Sequence, residues 1–112
     1  MKVFNLALDL KDDEKLIAEY EAYHKNVWPE IISKIKESGI LNCEIFRVQN
    51  RLVMRLETID SFSFEAKAKI DSSSEIVQKW EELMWTYQQA LPNSKTGEKW
   101  MLMEPIFNMN SN

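Results

Sequence analysis

The chain opens on strict alternation. In KVFNLALDL, Phe4, Leu6, Leu8 and Leu10 fall on one side and Asn5, Ala7 and Asp9 on the other, the period of two expected of a strand with one buried face. From Asp12 the period lengthens. In DDEKLIAEYEAYH, Leu16, Tyr20 and Tyr23 recur at helical spacing behind an acidic first turn, which predicts a first helix ending near His24. Pro29 suits the first turn of a second helix, WPEIISKIKES, with Asn26 available as a nearby cap, Ile31, Ile32 and Ile35 as the apolar stripe and Gly39 as the stop. LNCEIFRV and RLVMRLETI are β-like runs meeting at Gln49 and Asn50, a hairpin. Around Ser61, FSFEAKAKI reads as a short helix that DSSS breaks. EIVQKWEELMWTYQQAL then predicts a longer one, with Ile76, Trp80, Leu83, Met84 and Tyr87 near one face and Pro92 as its end. KWMLMEPIF is apolar enough for a last strand, and Pro105 places its end at an edge or a bend.

Strand, helices, hairpin, helices, strand is the split β-α-β order of an α+β ferredoxin-like domain. Its helices cover one face of an antiparallel sheet. At 112 residues the chain forms a single domain spanning 1–112, large enough for one core without disulfides or a structural metal. The strands look too apolar for the second face to meet solvent, which predicts a homodimer of the dimeric α/β-barrel type with its two sheets packed together.

Apolar residues at 45 % and charged residues at 29 % are the balance of a folded globular protein. A net charge of −4, with no basic stripe, argues against a nucleic-acid partner. No apolar run approaches the roughly 18 residues of a membrane helix, and MKVFNLALDLKDDEK turns acidic too early for a signal peptide. The expected setting is the cytoplasm, away from membranes. The single cysteine, Cys43, forms no intrachain disulfide and fits a reducing compartment.

Candidate chemistry centres on the one histidine. Tyr20, His24 and Trp28 stand at i, i+4 and i+8, on one face of a continuous helix, although Asn-Val-Trp-Pro interrupts that continuity. Histidine exchanges protons near neutral pH without help from its surroundings. A lone histidine between aromatics is nonetheless more often packing than chemistry, and spacing alone leaves packing ahead. Trp80 and Trp85 carry the same bland reading as core. Glu81 and Glu82 read as a solvated face, or as carboxylates able to grip hydroxyls or carry a proton. One histidine without a carboxylate cluster leaves a metal site short of ligands, and two glycines in the whole chain leave no phosphate loop.

The string Y-x-x-x-H-x-x-x-W-P-E, here Tyr20, His24, Trp28, Pro29 and Glu30, resembles the signature of the L-rhamnose mutarotase family. So do the S-G-x-x-N of Ser38, Gly39 and Asn42, and the Q-K-W of Gln78, Lys79 and Trp80 with Met84 beyond it. The resemblance covers nearly the whole chain. It implies a dimeric ferredoxin-like enzyme that needs no cofactor, takes a small sugar as its partner and interconverts the α and β anomers of a 6-deoxy-L-sugar. His24 would be the proton donor, Tyr20 a substrate-binding hydroxyl, and Trp80, with Trp28 beside the site, an aromatic wall.

Two positions depart from the L-rhamnose pattern. Cys43 stands where that pattern has an aromatic hydroxyl, and Glu81 where a second tryptophan follows the first. Both are pocket positions by resemblance, and both changes alter shape and hydrogen bonding enough to change which sugar fits. L-Fucose keeps the methyl group and L configuration but differs from L-rhamnose at C2 and C4, so it competes with L-rhamnose as the substrate. Two other readings use the same architecture: a monooxygenase of the dimeric barrel type, with Asn26, Trp28 and His24 in its pocket, and a small-molecule binding module without catalysis.

Overall fold

The computed structural model describes residues 1–110. β1 (Lys2–Leu10) lies inside an antiparallel sheet. On one side it pairs with β3 (Arg51–Thr58), which pairs in turn with β2 (Ile40–Val48) to complete the expected hairpin. Its other side is shared by two short strands, β4 (Gln88–Gln89) and β5 (Met101–Leu102). Register follows the alternation: Leu6 faces Met54 and Leu8 faces Leu52 on β3, whose Met54 and Leu56 face Ile45 and Cys43 on β2. These rows point to the helices. Leu8, Leu10 and Leu52 are among the most deeply buried side chains. A register shift between Ile40 and Asn42 leaves Leu41 outside the ladder and exposed.

Four helices cover that inner face. α1 (Glu14–Lys25) starts at Asp13, whose carboxylate accepts from the Leu16 amide at 3.0 Å, and α2 (Pro29–Glu37) starts with proline in its first turn. Asn26 does not cap α2: it ends α1, its amide donating to the Tyr23 carbonyl, and Trp28 precedes α2 without a side-chain cap. Proline lacks an N–H to be capped, which lowers the need for one. Gly39, at φ +94°, closes α2 as expected. A Cβ there would meet the Ile59 side chain at 2.9 Å, so space and backbone both require glycine. α3 (Phe64–Ser72) is capped by Ser63, two residues beyond Ser61, and α4 (Glu75–Trp85) by Ser74.

The long fourth helix is shorter than its periodicity predicts. It stops at Trp85, well before Pro92, and Gln88 and Gln89 pair with Leu10 and Asp9 instead. The backbone of β1 offers hydrogen bonds there, and Lys11 draws the turn in by donating from its amide to the Tyr87 carbonyl and from its ammonium to the Thr86 carbonyl. Tertiary pairing outweighs the helical preference of WTYQQ. The last strand shrinks for a related reason. Gln88 and Gln89 already occupy part of the β1 edge, so Met101 and Leu102 take only the stretch beside Ala7 and Leu6.

The outer face of the sheet is mixed. Val3, Phe46 and Val48 are exposed on it, at 43 %, 54 % and 67 %. Between them run ion pairs from Arg55 to Glu44 and Glu57 and from Arg51 to Asp9.

Candidate active site

Between the helices and the inner face of the sheet lies an open cavity of about 920 Å³, within the range of small-molecule sites. Each helix sends one stripe into it. α1 contributes Tyr20 and His24, α4 contributes Val77, Trp80, Glu81 and Met84, and the sheet supplies Cys43, Ile45, Leu52 and Met54 as a floor. Arg47, at the end of β2, donates to the Glu21 carboxylate on α1 at 2.5 Å and ties strand to helix at the rim.

His24 is half-buried and held by its own helix. Its Nδ1 lies 2.8 Å from the Tyr20 carbonyl. A carbonyl only accepts, so Nδ1 carries the hydrogen and Nε2 is the nitrogen left to exchange a proton with a ligand. The imidazole is fixed between rings, with the Tyr20 centroid at 4.4 Å and Trp80 edge-on at 5.8 Å. Trp28 does not line the cavity. It packs against Trp80 at 5.0 Å in a T-shaped contact. The helix break at Asn26 therefore separates Trp28 from the His24 face in sequence, yet Trp80 reconnects the two.

Tyr20 is deeply buried, and its hydroxyl accepts from Gln88 Nε2 at 3.2 Å. Its own hydrogen remains for a ligand. Burial pushes the phenol up to about 12, against the opposing effect of the Gln88 hydrogen bond. At neutral pH Tyr20 stays a neutral hydroxyl, not a base. The unfolded chain releases this proton near 10.0 and the folded chain near 12, so the unfolded state binds fewer protons in between. Stability present below pH 10 is lost as pH rises, by about 1.4 kcal/mol per unit at most. In denaturant unfolding, the free energy should fall more steeply across pH 9 to 12 in the wild type than in Tyr20→Phe, where Cys43 and Tyr87 still contribute. An equal slope in both proteins would contradict the assignment.

Burial likewise pushes the Cys43 thiol up, so Cys43 shapes the floor as a small neutral group. Glu81 lines the cavity and Glu82 is exposed outside it. Trp85, expected in the core, is 36 % exposed with the Lys99 ammonium 5.3 Å from its ring centre. Asn26, which the monooxygenase reading needs in the pocket, does not line the cavity. Among the described residues no three His, Cys, Asp or Glu side chains converge as a metal site would require, and no helix is long and apolar enough to cross a membrane.

The spacing of residues gave no sign of Gln88, because its contact with Tyr20 joins positions 68 apart. Lys67, Asp71 and Trp100 also line the cavity without having stood out as candidates.

Comparison with known proteins gives the family. The sequence profile described as L-rhamnose mutarotase matches residues 4–109. The chain belongs to the L-rhamnose mutarotase family. Members of this family are carbohydrate epimerases, and the chain is accordingly an isomerase. It is 45 % identical over 102 residues to the L-fucose mutarotase of Xanthomonas campestris pv. campestris, covering 89 % of this chain and 82 % of that protein. In fold it is similar to the crystal structure of L-rhamnose mutarotase FA22100 from Formosa agariphila, with a TM-score of 0.72, 22 % identity and coverage of 97 % and 99 %. A dimeric ferredoxin-like protein from an uncultured marine organism shares the fold with a TM-score of 0.54 and 14 % identity, covering 95 % and 90 %. The ferredoxin-like α+β expectation agrees with these folds.

Proposed function

We propose that this mutarotase acts on L-fucose in preference to L-rhamnose, with His24 as the proton donor. The carrying observation is the fixed imidazole: Nδ1 is engaged with the Tyr20 carbonyl and Nε2 is left for the cavity. Ring opening requires the anomeric hydroxyl to lose its proton and the ring oxygen to gain one as the C1–O5 bond breaks. His24, as the imidazolium, delivers that second proton from Nε2, while the anomeric hydroxyl gives its proton to water in the open cavity. Rotation about C1–C2 turns the other face of the aldehyde toward the hydroxyl, and closure reverses both transfers, returning one proton to Nε2 and one from water to the new anomeric oxygen. Tyr20 donates its free hydrogen to a sugar oxygen, and Trp80 covers the apolar C–H face of the ring.

The preference for L-fucose rests on the L-fucose mutarotase at 45 % identity and on two cavity residues. Cys43 leaves room on the floor, and Glu81 adds a carboxylate acceptor on the α4 wall. A site that hydrogen-bonds a hydroxyl rejects a sugar whose hydroxyl lies elsewhere, because its polar groups are left unpaired. Exchange NMR at the anomeric protons should therefore give kcat/KM at least about tenfold higher for L-fucose than for L-rhamnose. A reversed preference would overturn the sugar assignment, and no acceleration over buffer with either sugar would overturn the activity.

The working form is a homodimer. Val3, Phe46 and Val48 on the outer sheet face are exposed, as are Ile106 at 94 % and Phe107 at 78 %, and a second copy would cover such apolar surface. Sedimentation equilibrium should give about twice the 13.3 kDa chain mass. We place the enzyme in the cytoplasm on the strength of its unpaired Cys43, which fits a reducing compartment. Recovery outside the cytosolic fraction would refute that placement.

A further inference from the structure

The inner stripe of α3 departs from the usual pattern. Positions 64, 67, 68 and 71 recur at i, i+3, i+4 and i+7, where a helix lying on a sheet normally presents apolar side chains. Here they are Phe64, Lys67, Ala68 and Asp71, and all four line the cavity. α3 buries no residue of its own. The two charges face the same space as Tyr20, His24 and Trp80.

Lys67 Nζ and Asp71 Oδ2 are 2.5 Å apart, with side chains only 27 % and 15 % exposed. The i, i+3 pair on α2, Lys34 and Glu37, is 35 % and 56 % exposed. Helix stabilisation accounts poorly for this part-buried pair. Lysine ahead of the acid is the weaker order at i, i+4, and withdrawing both charges from water opposes the gain. Gln78 Nε2 donates to the Asp71 carbonyl at 2.9 Å, so α4 anchors the end of α3 that carries the carboxylate. Cys43 and Tyr20 line the same cavity as this pair.

We infer that Lys67 and Asp71 form a specificity-determining subsite that grips two adjacent hydroxyls of the sugar ring. The inference rests on the mutarotase reading of the same cavity. Each sugar hydroxyl both donates and accepts, and the pair offers both complements. Asp71 Oδ1 accepts from one hydroxyl, and the hydrogens of Lys67 not spent on Asp71 donate to its neighbour. Because the donor and acceptor stand in fixed order on one helix, they distinguish sugars that differ in hydroxyl orientation, as L-fucose and L-rhamnose do at C2 and C4. Proton transfer stays with His24.

Two double variants separate this role from a structural one. Lys67→Met with Asp71→Leu removes both charges together, so neither is left buried alone and the fold should keep its thermal midpoint or gain. Lys67→Asp with Asp71→Lys keeps the ion pair and reverses donor and acceptor. In anomer-exchange NMR with L-fucose, both should raise KM by about tenfold or more with kcat within about threefold of wild type, and both should flatten the preference between L-fucose and L-rhamnose. Unchanged KM and preference in the apolar variant, or wild-type behaviour of the reversed pair, would overturn the subsite. Calorimetric titration of L-fucose into the wild type and the apolar variant keeps this test separate from catalysis. If the wild type binds the sugar without exchanging its anomers, the mutarotase reading fails, while a loss of binding in the variant still supports the subsite. Equal binding by the two proteins refutes it.

Discussion

Replacing His24 with alanine should slow anomer exchange by about 10² to 10⁴, which corresponds to roughly 3 to 5 kcal/mol of barrier. Tyr20 and Trp80 still define the pocket after the change, so L-fucose should bind with an affinity near that of wild type and the loss should fall on kcat. The fold should survive. His24 is half-buried at the last turn of α1, and its ring hydrogen bond goes to a carbonyl of the same helix, so its loss costs about 1 kcal/mol or less. Exchange NMR on the purified variant, with a thermal melt beside it, makes the measurement. A folded variant exchanging anomers at the wild-type rate would remove His24 from the mechanism.

The second large effect concerns assembly. Phe46 and Val48 stand on the outward side of β2, cross-strand from Val53 and Arg51, and are 54 % and 67 % exposed. Changing both to aspartate costs the isolated chain little, because the new carboxylates stay in water. In a dimer that packs sheet on sheet, each copy would have to bury two unpaired charges, at several kcal/mol per ion. The double variant should therefore sediment as a 13.3 kDa monomer where wild type sediments at about twice that mass. A variant that stays dimeric would place the interface elsewhere, and a monomeric wild type would end the dimer reading.

Much of this molecule is legible as periodicity. The alternation of Phe4, Leu6, Leu8 and Leu10 gives β1, and the two β-like runs meeting at Gln49 and Asn50 give the hairpin, because side-chain direction in a strand follows position alone. Pro29 and Gly39 mark helix ends for reasons confined to a few residues. The failures share a cause. Gln88 and Gln89 left the helix their sequence favours because the β1 edge supplied hydrogen bonds from nearly 80 positions earlier in the chain. Asn26, a plausible cap by type, was taken by the end of α1.

The candidate site divides along the same line. Sequence by itself determined the Tyr20 and His24 pair, since i and i+4 on one helix are neighbours whatever surrounds them, and the mutarotase signature around them carried the family. Tertiary structure decided the rest. It set Trp28 against Trp80 and outside the cavity lining, supplied Gln88 to the Tyr20 hydroxyl, and placed Lys67 and Asp71 along the cavity. A charged pair at i, i+4 reads identically in sequence whether it meets water or a cavity. Which face of a helix is the inner one is set by the sheet it packs on, through contacts between residues far apart in the chain.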